Sequence, residues 1–317
     1  MKASDQSVAT KTGAGGVATA LNIGLAICYT AINLYQFFIL PLFLLPGDVR
    51  WAWTLLPLAL LNNPFWSLIH EAIHDLFHPQ RKVNLIFGKL LSIMFGSPFR
   101  ILRLSHLLHH KLNRTPMEAT ELYDQEKTSP ASAAFGYYFQ IFGGLYLVEL
   151  VSPLLFFLPL IVLRRFRDRF VTPESVSGIL MQNWTQAEAT EEIRIDGLLI
   201  LTWFGWSLFC YGAYWPLLLF ILAARGFLIS FLDNVYHYRT PVNDIFYASN
   251  LRLPKVPASV LLNFNLHGIH HRNPAIPWIR LPVAFREQSE LFQGNYFTAA
   301  ARQLRGPVAL QDLPGAR

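Results

Sequence analysis

The chain has 317 residues, 53% of them hydrophobic and 15% charged, with a mean hydropathy of +0.32. Soluble domains carry about 25% charged residues, so the composition excludes an ordinary soluble globule and indicates an integral membrane protein. The two cysteines, Cys28 and Cys210, each sit in an apolar stretch, which excludes a disulfide framework and argues against a thiolate metal site.

Residues 1–17 are small and polar and read as a flexible tail. An uncharged stretch from Val17 to Leu45 follows, long enough to span a bilayer. Pro46-Gly47-Asp48 forms a tight connection into a second apolar run, Trp51 to Ile69, whose two leading tryptophans suit a membrane interface. From Asp75 to Ala134 the chain is polar and basic, with lysine or arginine at 81, 82, 89, 100, 103, 111, 114 and 127. The positive-inside rule assigns this segment to the cytoplasm, and Leu85 to Phe99 within it reads as an interfacial helix. Two further apolar regions, 133–163 and 197–232, are interrupted by prolines or by Gly212 to Pro216. Arginines at 164, 165, 167 and 169 prefer the cytoplasm, which favours a re-entrant or hairpin path for the first region and a hairpin for the second. The expected fold is therefore a single all-α membrane domain with about four transmembrane helices, six being the other count considered. Residues from about 306 to 317 read as a second flexible tail.

Histidine is distributed unevenly along this plan. Of 10 histidines, eight fall in three clusters: His70 and His74; His106, His109 and His110; His267, His270 and His271. A ninth, His237, follows the last apolar region one turn after Asp233. Helical residues spaced three or four apart share a face, so each cluster aims its imidazoles one way, as a metal requires. Nine ligands exceed what one first-row ion accepts, but two ions would each receive four or five. Iron, copper, nickel and zinc all suit nitrogen-rich sites. His70-Glu71-Ala72-Ile73-His74 also fits the H-E-x-x-H pattern of zinc proteases, in which the glutamate is a general base, but that reading leaves seven of the nine idle. A histidine-rich metal transporter is a third reading, although transporters place their ligands near the bilayer midplane.

These boxes, with Asp75 after His74, Lys111-Leu112-Asn113-Arg114 after His110, and Asn273-Pro274 after His271, resemble the membrane fatty acid desaturase superfamily over residues 50–285. The resemblance implies a cytoplasmic histidine-box cap holding two non-haem irons, with His70, His74, His106, His109, His110, His237, His267, His270 and His271 as ligands. It implies molecular oxygen as co-substrate and a fatty acid or acyl chain as substrate, desaturated or hydroxylated by C–H abstraction. Relatives with the same boxes make terminal alkenes by oxidative decarboxylation, or oxidise carotenoids as ketolases and hydroxylases. Asp233 occupies a place where related enzymes use a polar or water-bridged group, and Glu71 is expected to orient a ligand imidazole. Arg225, alone in an apolar stretch, is a candidate contact for the substrate head, with snorkelling or pairing with Asp233 as the plainer account. His78 is off the ligand face.

No nicotinamide, flavin or iron–sulfur fingerprint is present in the sequence, so electrons are expected from an external ferredoxin-like carrier and its reductase. The net charge of +6 suits an acidic donor and anionic lipid, and it also follows from positive-inside bias. The expected location is a bacterial inner membrane with the metal site facing the cytoplasm, and no nucleic-acid partner is expected.

Overall fold

The structure is a computed structural model that describes residues 16–312. Helix α1, Thr19–Leu34, continues into a wider-wound segment, Tyr35–Leu44, that contains Pro41. Proline has no N–H to close the regular ladder, and the winding relaxes to the π form around it. A short 3₁₀ stretch, Val49–Thr54, leads into α2, Leu55–Leu60. The second apolar run is thus not one continuous helix: it breaks at Leu61 and restarts as α3, Asn62–Ile73. Pro64 falls in the first turn of α3, where its missing N–H has no intrahelical partner to lose. Every residue of α3 is buried, which makes it the central post of the molecule.

Helix α4, Arg81–Phe95, turns by 100° into α5, Phe99–Leu112. Gly96 makes this elbow, with φ +109°, and a Cβ there would stand 2.9 Å from a methyl of Leu150. Left-handed backbone in a crowded corner leaves glycine as the fitting residue. The short strand β1, Leu122–Tyr123, follows.

Helices α6, Pro130–Phe139, and α7, Leu145–Leu155, are joined through a kink at Phe142 and Gly143. After them come α8, Leu160–Phe170, α9, Val176–Trp184, α10, Ala187–Tyr211, and α11, Trp215–Asp233. Gly212, with φ +48°, separates α10 from α11. Trp203 and Phe204 of α10 and Leu218 and Ile221 of α11 pack in one cluster with Phe37 and Leu40, so the two helices fold back as a hairpin. Along that hairpin, Gly143 lies against Gly226 of α11, whereas Pro153 lies against Gly197 of α10. Tyr137 packs with Tyr238 beyond the end of α11, and Phe156 packs with Ile193 near the start of α10. The α6–α7 segment therefore runs inward along one arm and back along the other, the re-entrant path favoured by the arginine distribution.

Among the described residues, three stretches are long and apolar enough to cross a membrane: Thr19–Leu44, Pro130–Leu155 and Ala187–Tyr236. The bent pair α4–α5 counted as one would make a fourth. Three to four such stretches fit the expected all-α membrane fold. Exposed Phe43, Trp206 and Phe209 on these stretches give the apolar exterior that lipid contact requires.

Past α11, the chain forms a cap from β2, Leu251–Arg252, α12, Lys255–Val260, α13, His267–Arg272, α14, Leu281–Glu287, β3, Gly294–Asn295, α15, Tyr296–Arg302, and β4, Val308–Ala309. Strand β4 pairs in parallel with β1, Leu122 opposite Val308, and both of its residues are buried. The flexible tail expected from about residue 306 is therefore incorrect for Gly306 to Ala309, because a two-residue ladder anchors them. The expected tail at 1–17 lies largely outside the described residues, as do 313–317.

Candidate metal centre

Four elements converge on one point. The last turn of α3 supplies His70 and His74, and the last two turns of α5 supply His106, His109 and His110. His237 follows the 3₁₀ turn that ends α11, and α13 carries His267, His270 and His271. Helix α13 is short and held from outside. The Ile269 N–H donates to Asn250 Oδ1 at 3.1 Å, and a Cβ on Gly268 would stand 2.4 Å from the Ala248 carbonyl oxygen. Only a residue without a side chain lets α13 lie this close to that loop.

All nine histidines meet, and they sort into two groups. His70, His74, His106, His110 and His270 form one, and His109, His237, His267 and His271 form the other, with ligand atoms in each within 4.8 Å of one another. His74, His106, His110 and His270 follow in a chain with Nε2–Nε2 separations of 3.0 Å, and His267 and His271 are 3.1 Å apart. Two nitrogens about 2.1 Å from one ion lie about 3.0 Å apart at right angles, and about 3.4 Å apart at the tetrahedral angle. The spacing therefore fits neighbouring positions of a six-coordinate ion better than tetrahedral zinc. Among the described residues, the buried Nε2 of His70 has no hydrogen-bond partner, as expected of an atom reserved for an ion. Residue types, grouping and spacing all fit a pair of metals.

Electrostatics point the same way for all but His109, which Glu118 draws upward against the effect of burial. Burial, reinforced by neighbouring imidazoles, holds His237, His267, His270 and His271 well below the usual histidine range. Neutral imidazole is the form that ligates metal. His109 is oriented by Glu118, whose Oε1 lies 2.9 Å from Nδ1. With Nδ1–H donated there, Nε2 faces the group as a free lone pair. Burial alone would raise the Glu118 carboxyl, but His109, then Arg114, pull it below the usual range. Glu118 escaped the sequence reading, although an acid closely following a histidine box is its signal.

The remaining expectations fare unevenly. Glu71 does not orient an imidazole: its Oε2 accepts from the Trp278 backbone N–H at 3.3 Å. One residue on from His70, it is rotated about 100° off the ligand face. Arg225 meets neither a substrate cavity nor Asp233. It is fully buried, and its guanidinium donates to Asn62 Oδ1 at 2.8 Å, the Met94 and Phe95 carbonyls at 2.8 Å each, and Asn33 Oδ1 at 3.0 Å. The rings of Phe37, Phe65 and Phe95 surround it. It is a staple holding the start of α3 to the end of α4. His78 is turned away, its Nδ1 accepting from the Gln80 N–H at 3.0 Å.

A cavity of about 630 Å³ opens beside the centre, with His106, His109, His237 and Asp233 in its wall. Most of the lining is apolar, including Ile141, Leu145, Val148, Phe156, Leu180 and Trp184. Asp233 thus faces the same space as the histidines. Glu149 of α7 also lines it, a residue that its isolation in an apolar stretch could have flagged.

Comparison with curated proteins finds no match. A model of the family described as Fatty acid desaturase matches residues 50–300. That range covers most of the chain and contains all nine converging histidines, and the protein belongs to the fatty acid desaturase family.

Proposed function

We propose that this chain is an oxygen-dependent non-haem di-iron oxidoreductase that desaturates or hydroxylates an aliphatic fatty acid or acyl chain. The observation that carries this reading is the pair of histidine groups, five and four, set against one largely apolar cavity. The nine histidines would hold two irons, and Glu118 would keep His109 in the ligating tautomer. When bound, the irons supply the oxygen chemistry that removes hydrogen from an unactivated C–H bond. The chain's own residues hold the substrate beside that point and exclude water, a task for Ile141, Leu145 and Val148 in the cavity wall. The position of a carbon relative to the irons then decides between alkene and alcohol.

A zinc protease is disfavoured because Glu71, the required base, is committed to the Trp278 backbone and belongs to neither histidine group. Electrons come from a separate ferredoxin-like carrier and reductase. The lysines and arginines clustered around the boxes support a cytoplasmic site, in a bacterial inner membrane, and a negatively charged donor.

The test is metal analysis of detergent-purified protein, with gas-chromatographic products after supply of fatty acids, oxygen and a reducing system. About two irons per chain and an oxygen-dependent unsaturated or hydroxylated product are expected. One zinc and no oxygen dependence would reject the proposal.

A further inference from the structure

Oxidation of a hydrocarbon chain calls for an apolar cavity, and this one contains a carboxyl that nothing satisfies. Glu149 is the sole charged residue between Pro130 and Leu155. Its Oε2 is sealed from solvent without a hydrogen-bond partner among the described residues. The Ser152 hydroxyl, on the same wall, donates to the Glu149 backbone carbonyl at 3.0 Å instead of to the carboxyl. Arg225, the nearby intramembrane cation, is fully committed to Asn33, Asn62 and the end of α4. Asp233, the other carboxyl in the cavity wall, offers no donor while ionised. A buried polar group without a partner is destabilising, and an intramembrane carboxyl in that state on a cavity wall is a candidate ligand contact.

The position along α7 gives that ligand a direction. Phe156, just past the end of α7, packs on Trp184, and both cluster with Ile101 at the start of α5, ahead of His106. Glu149 stands two turns earlier on α7, and Asp233, four residues before His237, lines the same cavity. We infer that Glu149 is a specificity-determining residue that hydrogen-bonds the small polar end of the substrate inside the cavity. The head would carry an O–H group: the carboxyl of a free fatty acid or the hydroxyl of a fatty alcohol. The head then sits at the histidine end and the tail extends toward Trp184 and Met181. A chain esterified to a bulky carrier leaves Glu149 unsatisfied. This rests on the proposed function for the existence of an aliphatic substrate and adds the class of its head.

The test is equilibrium binding to detergent-purified full-length protein, which needs no turnover. Wild type, Glu149→Gln and Glu149→Leu are titrated with dodecanoic acid, 1-dodecanol, methyl dodecanoate and dodecane, and metal content is measured in parallel. Wild type is expected to favour the acid, the alcohol or both, and the ligand that wins identifies the head. Glu149→Leu weakens that ligand about 10-fold or more, leaving ester and alkane within about 2-fold, and Glu149→Gln retains part of the preference. Equal binding of all four ligands by wild type, or an equal change for all four in Glu149→Leu, overturns the inference alone. Loss of metal from either variant assigns the carboxyl to the metal centre and also overturns it. If wild type binds none of the four, the inference and the proposed function both fall.

Discussion

The five-histidine and four-histidine groups draw on the same boxes, yet they stand in different surroundings. His70 of the first is enclosed by other imidazoles and by the edge of Phe264, with ring centroids 4.8 Å apart. The second has Glu118 behind His109, and Asn113 Nδ2 lies 3.3 Å from His271 Nδ1. His109 and His237 of that group also face the cavity with Asp233. A six-coordinate ion held by every member of its group would keep one position free over five histidines and two over four. Glu118 and Asn113 stand behind rings of the second group, whereas the first reaches the cavity wall through His106.

The comparison can be broken most directly by removing one ligand from each side. His270→Ala and His109→Ala are each expected to reduce turnover to background while the protein stays in the membrane, and metal analysis should fall from about two ions toward one in each. Full activity in either variant would break the idea of one shared site. Arg225→Met should come next in size, destabilising the fold by about 3 kcal/mol because it strands Asn62 Oδ1 and the Met94 carbonyl, while Asn33 Oδ1 and the Phe95 carbonyl keep Gln36 and Tyr146 as donors. Thermal unfolding in detergent would read this, and the activity of molecules that remain folded should be largely kept, since Arg225 touches neither group. Glu118→Gln sharpens the contrast further: metal affinity at the four-histidine group should drop about 10- to 100-fold, with the other group unchanged. The smallest effect expected is from Gly88→Ala, whose Cβ would lie 2.6 Å from the Phe99 ring. Overpacking of this kind costs about 1–3 kcal/mol, and here it strains the elbow that orients both groups. A melting temperature equal to wild type would show that the elbow yields without cost.

What the sequence made legible was whatever repeats along one helix face. Three boxes and His237 declare nine candidate ligands because imidazole spacing survives any arrangement of the spans, and Val17 to Leu45 declares a membrane helix through its lack of charge. The polar partners were legible only as isolated residues. Arg225 and Glu149 look alike in sequence, each a lone charge in an apolar run. Yet one is stapled by Asn33, Asn62 and two carbonyls, and the other is left open to a cavity. That difference depends on which helices pack together, information that no local window holds. Glu71 was misread for a related reason: adjacency to His70 in sequence places it on another face, where Trp278 arrives from more than 200 residues away. The break at Leu61 was signalled by Asn62-Asn63-Pro64 but obscured by the apolar residues on either side.

The parallel ladder between Leu122–Tyr123 and Val308–Ala309 has a consequence for biosynthesis. The loop between them and α5 carries Glu118 and Glu121, and Glu121 anchors the buried Arg114 guanidinium. While the ribosome is still producing the cap, that loop has no strand to dock on, and α13 has yet to bring in the third box. Because β4 follows α13 in the chain, the loop that carries Glu118 gains its strand partner only after all three boxes have been made, and the clasp on the centre is the last part of it to be synthesised.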